Sequence, residues 1–384
     1  MNIAYVTTYD ATDVHQWSGT SFNMAAALRA AGVNVDYVGN LKERFSLAFK
    51  GRQFMTKKVL GKNYLRHRSY TITAGYAHQI EKRLADIPAD IILSPSTVPV
   101  CRVETDKPIV TWTDATFAGM IDFYPAFSNL HPQTVRDGND AEQAALDRCA
   151  LAIYSSDWAA RSAIEHYCVD PQKVKVVPFG ANLDFLPSPE QVRMAINARS
   201  SRICKLLFIG VEWERKGGDV ALRVVQELNE QGIPAELTLV GSAPDAPQSL
   251  PDCVKVLGFV SKATAQGREK FAQILLDSHF LIIPTQADCT PIVLNEANAF
   301  GVPCLTTDVG GIPSVITNDV NGYAFPREAS YSDYCTYVGR LMQHYAAYQD
   351  LAHSAYDEYE RRLNWCVSGR IVRQLLADVL QRPA

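Results

Sequence analysis

The chain has 384 residues, 47% hydrophobic and 20% charged, which favours two packed domains over one. Its net charge of −4 at pH 7 excludes a globally basic protein held to nucleic acid by charge alone. Nine dispersed cysteines, with no C-x-x-C pair and no Cys/His cluster, exclude a disulfide framework and a zinc-ribbon-like site. They fit reduced, buried thiols in a cytoplasmic protein.

The opening Met1-Asn2-Ile3-Ala4-Tyr5-Val6 has neither the basic region nor the long apolar run of a signal peptide, and no later stretch is apolar enough to cross a bilayer. A soluble, cytoplasmic chain is therefore expected. Strands are predicted at Ile3–Thr7, Val35–Val38, Ile91–Leu93, Ile109–Thr113, Leu151–Tyr154 and Val174–Val177. Amphipathic stretches such as Phe22–Ala31, Tyr76–Ala85 and Asp140–Arg148 lie between them. This alternation predicts βα units and a parallel sheet covered on both faces. Pro178-Phe179-Gly180, Pro187, Pro189 and a polar run to Arg202 interrupt it and read as an interdomain linker. A second series follows at Leu206–Ile209, Leu237–Val240, Val254–Leu257, Phe280–Ile283 and Cys304–Thr306, with helices at Asp219–Gln231 and Pro291–Phe300. Two doubly wound units result, and such sheets bind ligands outside the carboxyl ends of their strands.

The most informative run is Pro284-Thr-Gln-Ala-Asp288-Cys-Thr-Pro-Ile-Val-Leu-Asn-Glu296-Ala-Asn-Ala-Phe-Gly301-Val-Pro303. Thr290-Pro291 reads as a helix start, with Thr290 as N-cap and Pro291 at the first helical position. The amides of Ile292, Val293 and Leu294 are then offered to an anion such as a diphosphate. Asp288, in the preceding loop, is suited to accept hydrogen bonds from sugar hydroxyls, and Glu296, nearly two turns into the helix, from a second polyol such as ribose. Taken singly, each carboxylate reads equally well as a solvated loop or helix residue.

Together with Thr307-Asp308-Val309-Gly310-Gly311-Ile312-Pro313-Ser314, this run resembles the family 4 retaining glycosyltransferases. The resemblance implies the α/β GT-B fold: two Rossmann-like, doubly wound domains facing across a cleft. It assigns the donor sugar to Asp288 and the nucleotide ribose to Glu296. Phe208-Ile209-Gly210-Val-Glu-Trp-Glu-Arg215-Lys216-Gly217-Gly218 is similar to the family's first C-domain strand and loop, making Lys216 the cation on the donor diphosphate. Looser matches are Ile153–Ala159, Pro178–Leu183 and Tyr359–Trp365, the last implying a final helix that returns to the N-terminal domain. The implied domains are 1–180 plus 366–384, on the acceptor side, and 200–365, binding the nucleotide sugar. Base recognition falls near Gly258-Phe259-Val260.

Several positions depart from the family pattern. Asp288 replaces Glu, Val211 replaces an Arg whose charge Arg215 is placed to restore, Pro291 replaces Gly, and Ser314 replaces Glu. A glycine pair after the first strand is reduced to Ser18-Gly19-Thr20, where Gly19 still suits close approach to a phosphate. A family His gives way to Thr113, followed by Asp114, which either orients a substrate or caps the next turn.

The implied activity is transfer of a hexose-type sugar, with retention, from a UDP-, GDP- or ADP-sugar to a glycan, lipid-linked or small-molecule acceptor. No cofactor is required, and no Asp-x-Asp motif asks for a metal. The alternatives are a sugar-phosphate synthase or phosphorylase on the same fold, or an inactive scaffold. The Gly-x-Gly-x-x-Gly of a dinucleotide-binding oxidoreductase is absent after the first strand.

From Lys42 to Arg68 nine basic residues (Lys42, Arg44, Lys50, Arg52, Lys57, Lys58, Lys62, Arg66, Arg68) face one acid, Glu43. Leu41, Phe45 and Phe49 share a helical face, and Phe54, Met55, Val59 and Leu60 follow. Two readings stay open: peripheral contact with an anionic membrane or a phosphorylated acceptor, or a solvated helix whose apolar stripe lies in the core. No recognition module accompanies the patch, so nucleic acid is not expected.

Overall fold

The computed structural model describes residues 1–43, 45–244 and 250–381. The chain divides into two compact units, Met1–Phe179 with Trp365–Ala384, and Gly180–Asn364. Each is built on a six-stranded sheet whose recorded pairings are all parallel.

The first sheet contains β1 (Asn2–Val6), β2 (Asn34–Val38), β3 (Ile91–Ser94), β4 (Ile109–Thr113), β5 (Cys149–Tyr154) and β6 (Val174–Val176), in the order β2-β1-β3-β4-β5-β6. β3 and β4 are buried at every residue, as strands covered on both faces must be. The helix Thr20–Ala30 packs against the last helix, Trp365–Gln381. The fit is close at Gly369, where a Cβ would come within 2.7 Å of the Ala27 carbonyl oxygen. Trp365 stacks on Phe179 at 5.7 Å, and Ser368 donates to the Pro178 carbonyl at 2.7 Å, so the returning helix is fixed at its start.

The second sheet contains β7 (Cys204–Gly210), β8 (Ala235–Gly241), β9 (Val254–Gly258), β10 (Phe280–Ile283), β11 (Cys304–Thr307) and β12 (Gly322–Phe325), in the order β12-β11-β10-β7-β8-β9. β12 has no counterpart in the sequence-based reading. It starts at Gly322, whose φ of 151° and closeness to Cys304, with a Cβ position 2.1 Å from that carbonyl oxygen, allow only glycine.

The proline-rich segment expected as a linker is structured. Residues Pro189–Ala198 form a helix with a capping box between Ser188 and Gln191. Its Val192 and Ile196, four residues apart, are fully buried in the second core. Arg199 follows, 7% exposed, and donates to the carbonyls of Leu276, Phe300 and Gly301 at 3.1, 2.9 and 2.6 Å. The guanidinium thereby satisfies carbonyls at the exit of the Ile292–Asn298 helix that would otherwise be buried without donors. Six cysteines are buried, but Cys168 and Cys366 are exposed and Cys253 is half-buried, contrary to the expectation for all nine.

Candidate functional site

Read from β9, the second sheet runs β9-β8-β7-β10-β11-β12, so the direction of winding reverses between β7 and β10. Loops leaving the carboxyl ends of two such strands diverge, and ligands of doubly wound sheets bind there. Lys216 lies in the loop after β7 and Asp288 in the loop after β10.

The β7 loop has little freedom. Gly217 is left-handed at φ 76°, and a Cβ on it would sit 2.1 Å from the Pro284 carbonyl oxygen. A Cβ on Gly218 would meet the Trp213 ring at 2.3 Å. That ring packs on Phe208 at 5.3 Å, and its indole N–H donates to Asp219 at 2.8 Å. The amide of Gln286 donates to the Arg215 carbonyl at 2.8 Å, and the Arg215 guanidinium to the Ala287 carbonyl, so the β7 and β10 loops form one body.

That body brings three predicted residues together. The Lys216 ammonium holds both oxygens of Asp288, at 3.1 and 2.9 Å, and Arg215 approaches the same carboxylate at 3.3 Å. Thr285 donates to Asp288 at 2.8 Å, and Arg215 also donates to the Ala287 carbonyl at 2.6 Å and pairs with Glu212. The adjacent Arg215 and Lys216 therefore both face Asp288. Val211, at the position of the family's arginine, is 71% exposed. All three charged side chains are largely buried, at 17%, 12% and 9% exposed for Arg215, Lys216 and Asp288, so the charges interact with little screening.

The helix start differs from expectation. Pro291, not Thr290, is the N-cap residue, with φ −73° and ψ 103°, and the helix Ile292–Asn298 has seven residues. Thr290 instead donates its hydroxyl to the Cys289 carbonyl at 2.8 Å. The Leu294 amide, expected to be offered to an anion, closes the first turn on the Pro291 carbonyl at 3.0 Å. Ile292 and Val293 are half-buried at the start of this helix.

Glu296 is the fifth residue of that helix and only 3% exposed. Lys262, in the loop after β9, donates to it at 2.5 Å and to the Asn182 carbonyl at 3.3 Å. Lys262 was not anticipated. Its local sequence, Ser261-Lys262-Ala263-Thr264, is that of any polar turn, and only its place after a strand of this sheet marks it. Phe259, in the same loop, is 77% exposed.

Gly19, Thr20 and Asp114 belong to the first unit. Gly19 is the left-handed N-cap of the Thr20–Ala30 helix, at φ 81°, after Trp17 and Ser18 at φ 47° and 54°. A run of three positive φ values that includes two non-glycine residues is uncommon backbone. Asp114 follows β4 and is half-buried, and the next short helix, Phe117–Met120, takes Thr116 as its N-cap. Burial pushes the Tyr9 phenol above its ordinary value, the Ser21 hydroxyl opposes this, and the Asp114 carboxylate adds to it. A cavity of about 550 Å³ is lined by Thr8, Ser96, Glu43, His67, Arg68 and Tyr76, among others. Thr8 and Ser96 follow β1 and β3, the strands between which this sheet reverses its winding.

Residues 204–344 match the family Glycosyl transferases group 1, and residues 20–185 match Glycosyltransferase Family 4. The chain belongs to the family 4 glycosyltransferases. Among curated relatives of this family 4 chain, the D-inositol 3-phosphate glycosyltransferase of Mycobacterium marinum (strain ATCC BAA-535 / M) is 28% identical over 186 residues, 47% of this chain and 40% of that one. The protein of the same name from Corynebacterium aurimucosum (strain ATCC 700975 / DSM 44827 / CIP 107346 / CN-1) is 24% identical over 252 residues, 62% of this chain and 59% of its own length. The match thus spans roughly half the length of these relatives. The solved sucrose-phosphate synthase from Thermosynechococcus elongatus superposes with a TM-score of 0.70 at 16% identity, covering 98% of this chain and all of that one. Anabaena HepE in complex with UDP-glucose gives 0.62 at 13% identity, with 98% and 100% covered. At such identities the likeness is one of fold, and the fold is GT-B.

Proposed function

We propose that this family 4 chain is a retaining glycosyltransferase that moves a hexose-type sugar from a UDP-, GDP- or ADP-sugar to a hydroxyl acceptor. The observation that carries this reading is the pairing of Lys216 and Arg215 with Asp288 at the β7/β10 reversal. In the free chain Asp288 neutralises the ammonium. An incoming diphosphate competes for Lys216, while Thr285 and Arg215 keep the carboxylate in place. Asp288 is then free to accept hydrogen bonds from sugar hydroxyls. Glu296, steadied by Lys262, accepts from the nucleotide ribose.

As the bond between the anomeric carbon and the phosphate oxygen breaks, negative charge grows on the leaving diphosphate. Lys216 and the amides of Ile292 and Val293 stabilise that charge more in the transition state than in the ground state. The acceptor oxygen bonds the anomeric carbon on the same face, and its proton passes to the leaving phosphate oxygen. Lys216 and Arg215 supply the positive charge that a metal ion would otherwise bring to the leaving diphosphate. Gly19 and Thr20 are assigned to the donor and Asp114 to orienting a substrate. The acceptor, a glycan, lipid-linked or small-molecule hydroxyl, is assigned to the first-unit cavity of about 550 Å³.

A thermal-shift panel of UDP-, GDP-, ADP- and CMP-sugars tests the reading. A ligand at about 100 times its Kd stabilises by about 2.7 kcal/mol, enough for a clear rise in Tm. One nucleotide class should give that rise, and it should disappear in Lys216→Ala. A flat panel, or a rise that survives Lys216→Ala, would overturn the assignment.

A further inference from the structure

The helix Ser46–Leu60 buries a single residue, Thr56. Of the 19 large hydrophobic residues exposed among the described residues, six lie on this helix or at its start: Phe45, Leu47, Phe54, Met55, Val59 and Leu60. Leu47, Gly51, Phe54, Met55, Lys58 and Val59 are spaced i, i+4, i+7, i+8, i+11 and i+12 and form one stripe. The opposite side holds the helix to its unit, through Thr56, the half-buried Phe49 and Gln53, which accepts from Arg66 at 2.6 Å. This stripe therefore points to solvent, whereas of the face expected from sequence Leu41 and Phe49 pack on the first-unit core and only Phe45 is exposed. Monomeric proteins seldom leave such a stripe bare.

The charges around the stripe decide what covers it. Four of the nine basic residues have partners within the unit: Arg66 pairs with Glu43 at 2.9 Å, Arg68 is buried against Glu142, Arg52 donates to Gln133 and lies over the Tyr64 ring at 4.7 Å, and Lys57 donates to Asn63 at 2.9 Å. Arg44 lies outside the described residues. Lys42, Lys50, Arg52, Lys57 and Lys58 are exposed. Lys50 and Lys57 flank the stripe on one side, Arg52 on the other, and Lys58 lies within it. Lysine stems can lie along an apolar layer while their ammonium groups stay at its edge. A protein of net charge −4 thus concentrates positive charge around one exposed apolar surface. No helix among the described residues is long and apolar enough to cross a membrane.

We propose that the Ser46–Leu60 helix lies in the headgroup layer of an anionic lipid bilayer, with Leu47, Phe54, Met55 and Val59 among the acyl chains and the lysines on the lipid phosphates. The surface is separate from the Lys216–Asp288 site, and the inference does not depend on the transfer reaction.

Sedimentation of the full chain with vesicles tests it. Binding is expected to phosphatidylcholine vesicles containing phosphatidylglycerol, with little binding to phosphatidylcholine alone, and it should weaken as salt rises. Each lysine at an anionic surface contributes about a fivefold factor, so Lys50→Gln/Lys57→Gln/Lys58→Gln should lower partitioning by about 100-fold. Leu47→Ser/Phe54→Ser should lower it by a similar factor with Tm unchanged, because both side chains are exposed. A Phe54→Trp chain should shift its added emission to the blue on the anionic vesicles alone, a readout that needs no disruptive substitution. Equal binding to both vesicle types, or none to either, overturns the proposal. So does a stable dimer in solution that Leu47→Ser/Phe54→Ser dissociates, which would give the stripe to a second copy of the chain.

Discussion

Each unit contains a cation paired with a carboxylate almost out of water, and the two pairs are built differently. In the second unit Asp288 is held by Lys216, Arg215 and Thr285, on loops at the ends of two strands. In the first unit Glu142 is 1% exposed, accepts from Thr97 at 2.7 Å and meets Arg68 at 3.6 Å, beyond hydrogen-bond reach. The Arg68 guanidinium lies over the Phe117 ring at 4.4 Å. Nε and Nη1 of Arg68 and Oε1 of Glu142 have no hydrogen-bond partner. Burial raises the Glu142 pKa, and the nearby Arg68 opposes that rise. Glu142 is shut in by the core and Arg68 reaches only the wall of the first-unit cavity, so each buried charge depends on the other. In the second-unit pair the carboxylate has Thr285 and Arg215 as partners besides its lysine. Burial alone does not mark a site; what else holds the carboxylate does.

The largest expected effect is on the closed pair. Glu142→Gln leaves a buried guanidinium without its counter-charge and should cost about 3–5 kcal/mol in denaturant unfolding. The double variant Arg68→Met/Glu142→Leu should recover most of it. A single variant as stable as the parent would break the contrast. Next in size, Lys216→Ala should lower turnover by about 100- to 1000-fold, about 3–4 kcal/mol of transition-state stabilisation, while Tm stays near the parent value. A variant that instead unfolds early, with normal turnover at low temperature, would make the second pair structural like the first.

The sequence reveals these two pairs unequally. Asp288, Glu296 and Lys216 sit in local patterns tied to strand ends, so periodicity and motif find them. Arg68 and Glu142 are 74 residues apart, and no local pattern joins them. Both-face burial makes β3 readable from the unbroken apolar run Ile91-Ile92-Leu93, and β4 from its β-branched and aromatic residues Ile109-Val-Thr-Trp-Thr113. β12, Gly322-Tyr-Ala-Phe325, is too short and mixed for that. The segment before β7 looks like a linker because only Val192 and Ile196 carry its helical period, and its polar Arg199 is buried by satisfying carbonyls from distant segments. Thr290 fails as an N-cap because propensity names a residue type but not the direction of its hydroxyl.

A third test uses pH. His279 is fully buried, and desolvation pushes its pKa down to about 4. Its Nδ1 accepts from the Lys205 amide at 3.1 Å and its Nε2 pairs with the Ser200 carbonyl at 2.8 Å, which fixes the neutral ring. The unfolded chain takes up this proton near pH 6.5 and the folded chain only near 4, so stability is complete above 6.5 and falls as pH drops between them. The loss amounts to about 3 kcal/mol at the acid end. His67, also pushed down by burial, to about 3, acts in the same direction. His279→Phe should therefore shrink the acid sensitivity of Tm without removing it, and an unchanged acid slope would exclude His279 as its source.

The smallest effect comes from a pair between the two extremes. Glu296 is as buried as Glu142, but the side chain of its partner Lys262 is 36% exposed. The carboxylate end is therefore enclosed while the ammonium still exchanges with water, and a surface-like contribution of about 1 kcal/mol is expected. If Lys262 only steadies Glu296 for the donor ribose, Lys262→Met should raise the donor KM about tenfold with kcat unchanged, since ribose contacts are the same in the ground and transition states. A fall in kcat at constant KM would place Lys262 with Lys216 on the leaving diphosphate. A loss of several kcal/mol in stability would class it with the closed pair, and the openness of the cation would no longer separate the two kinds of site.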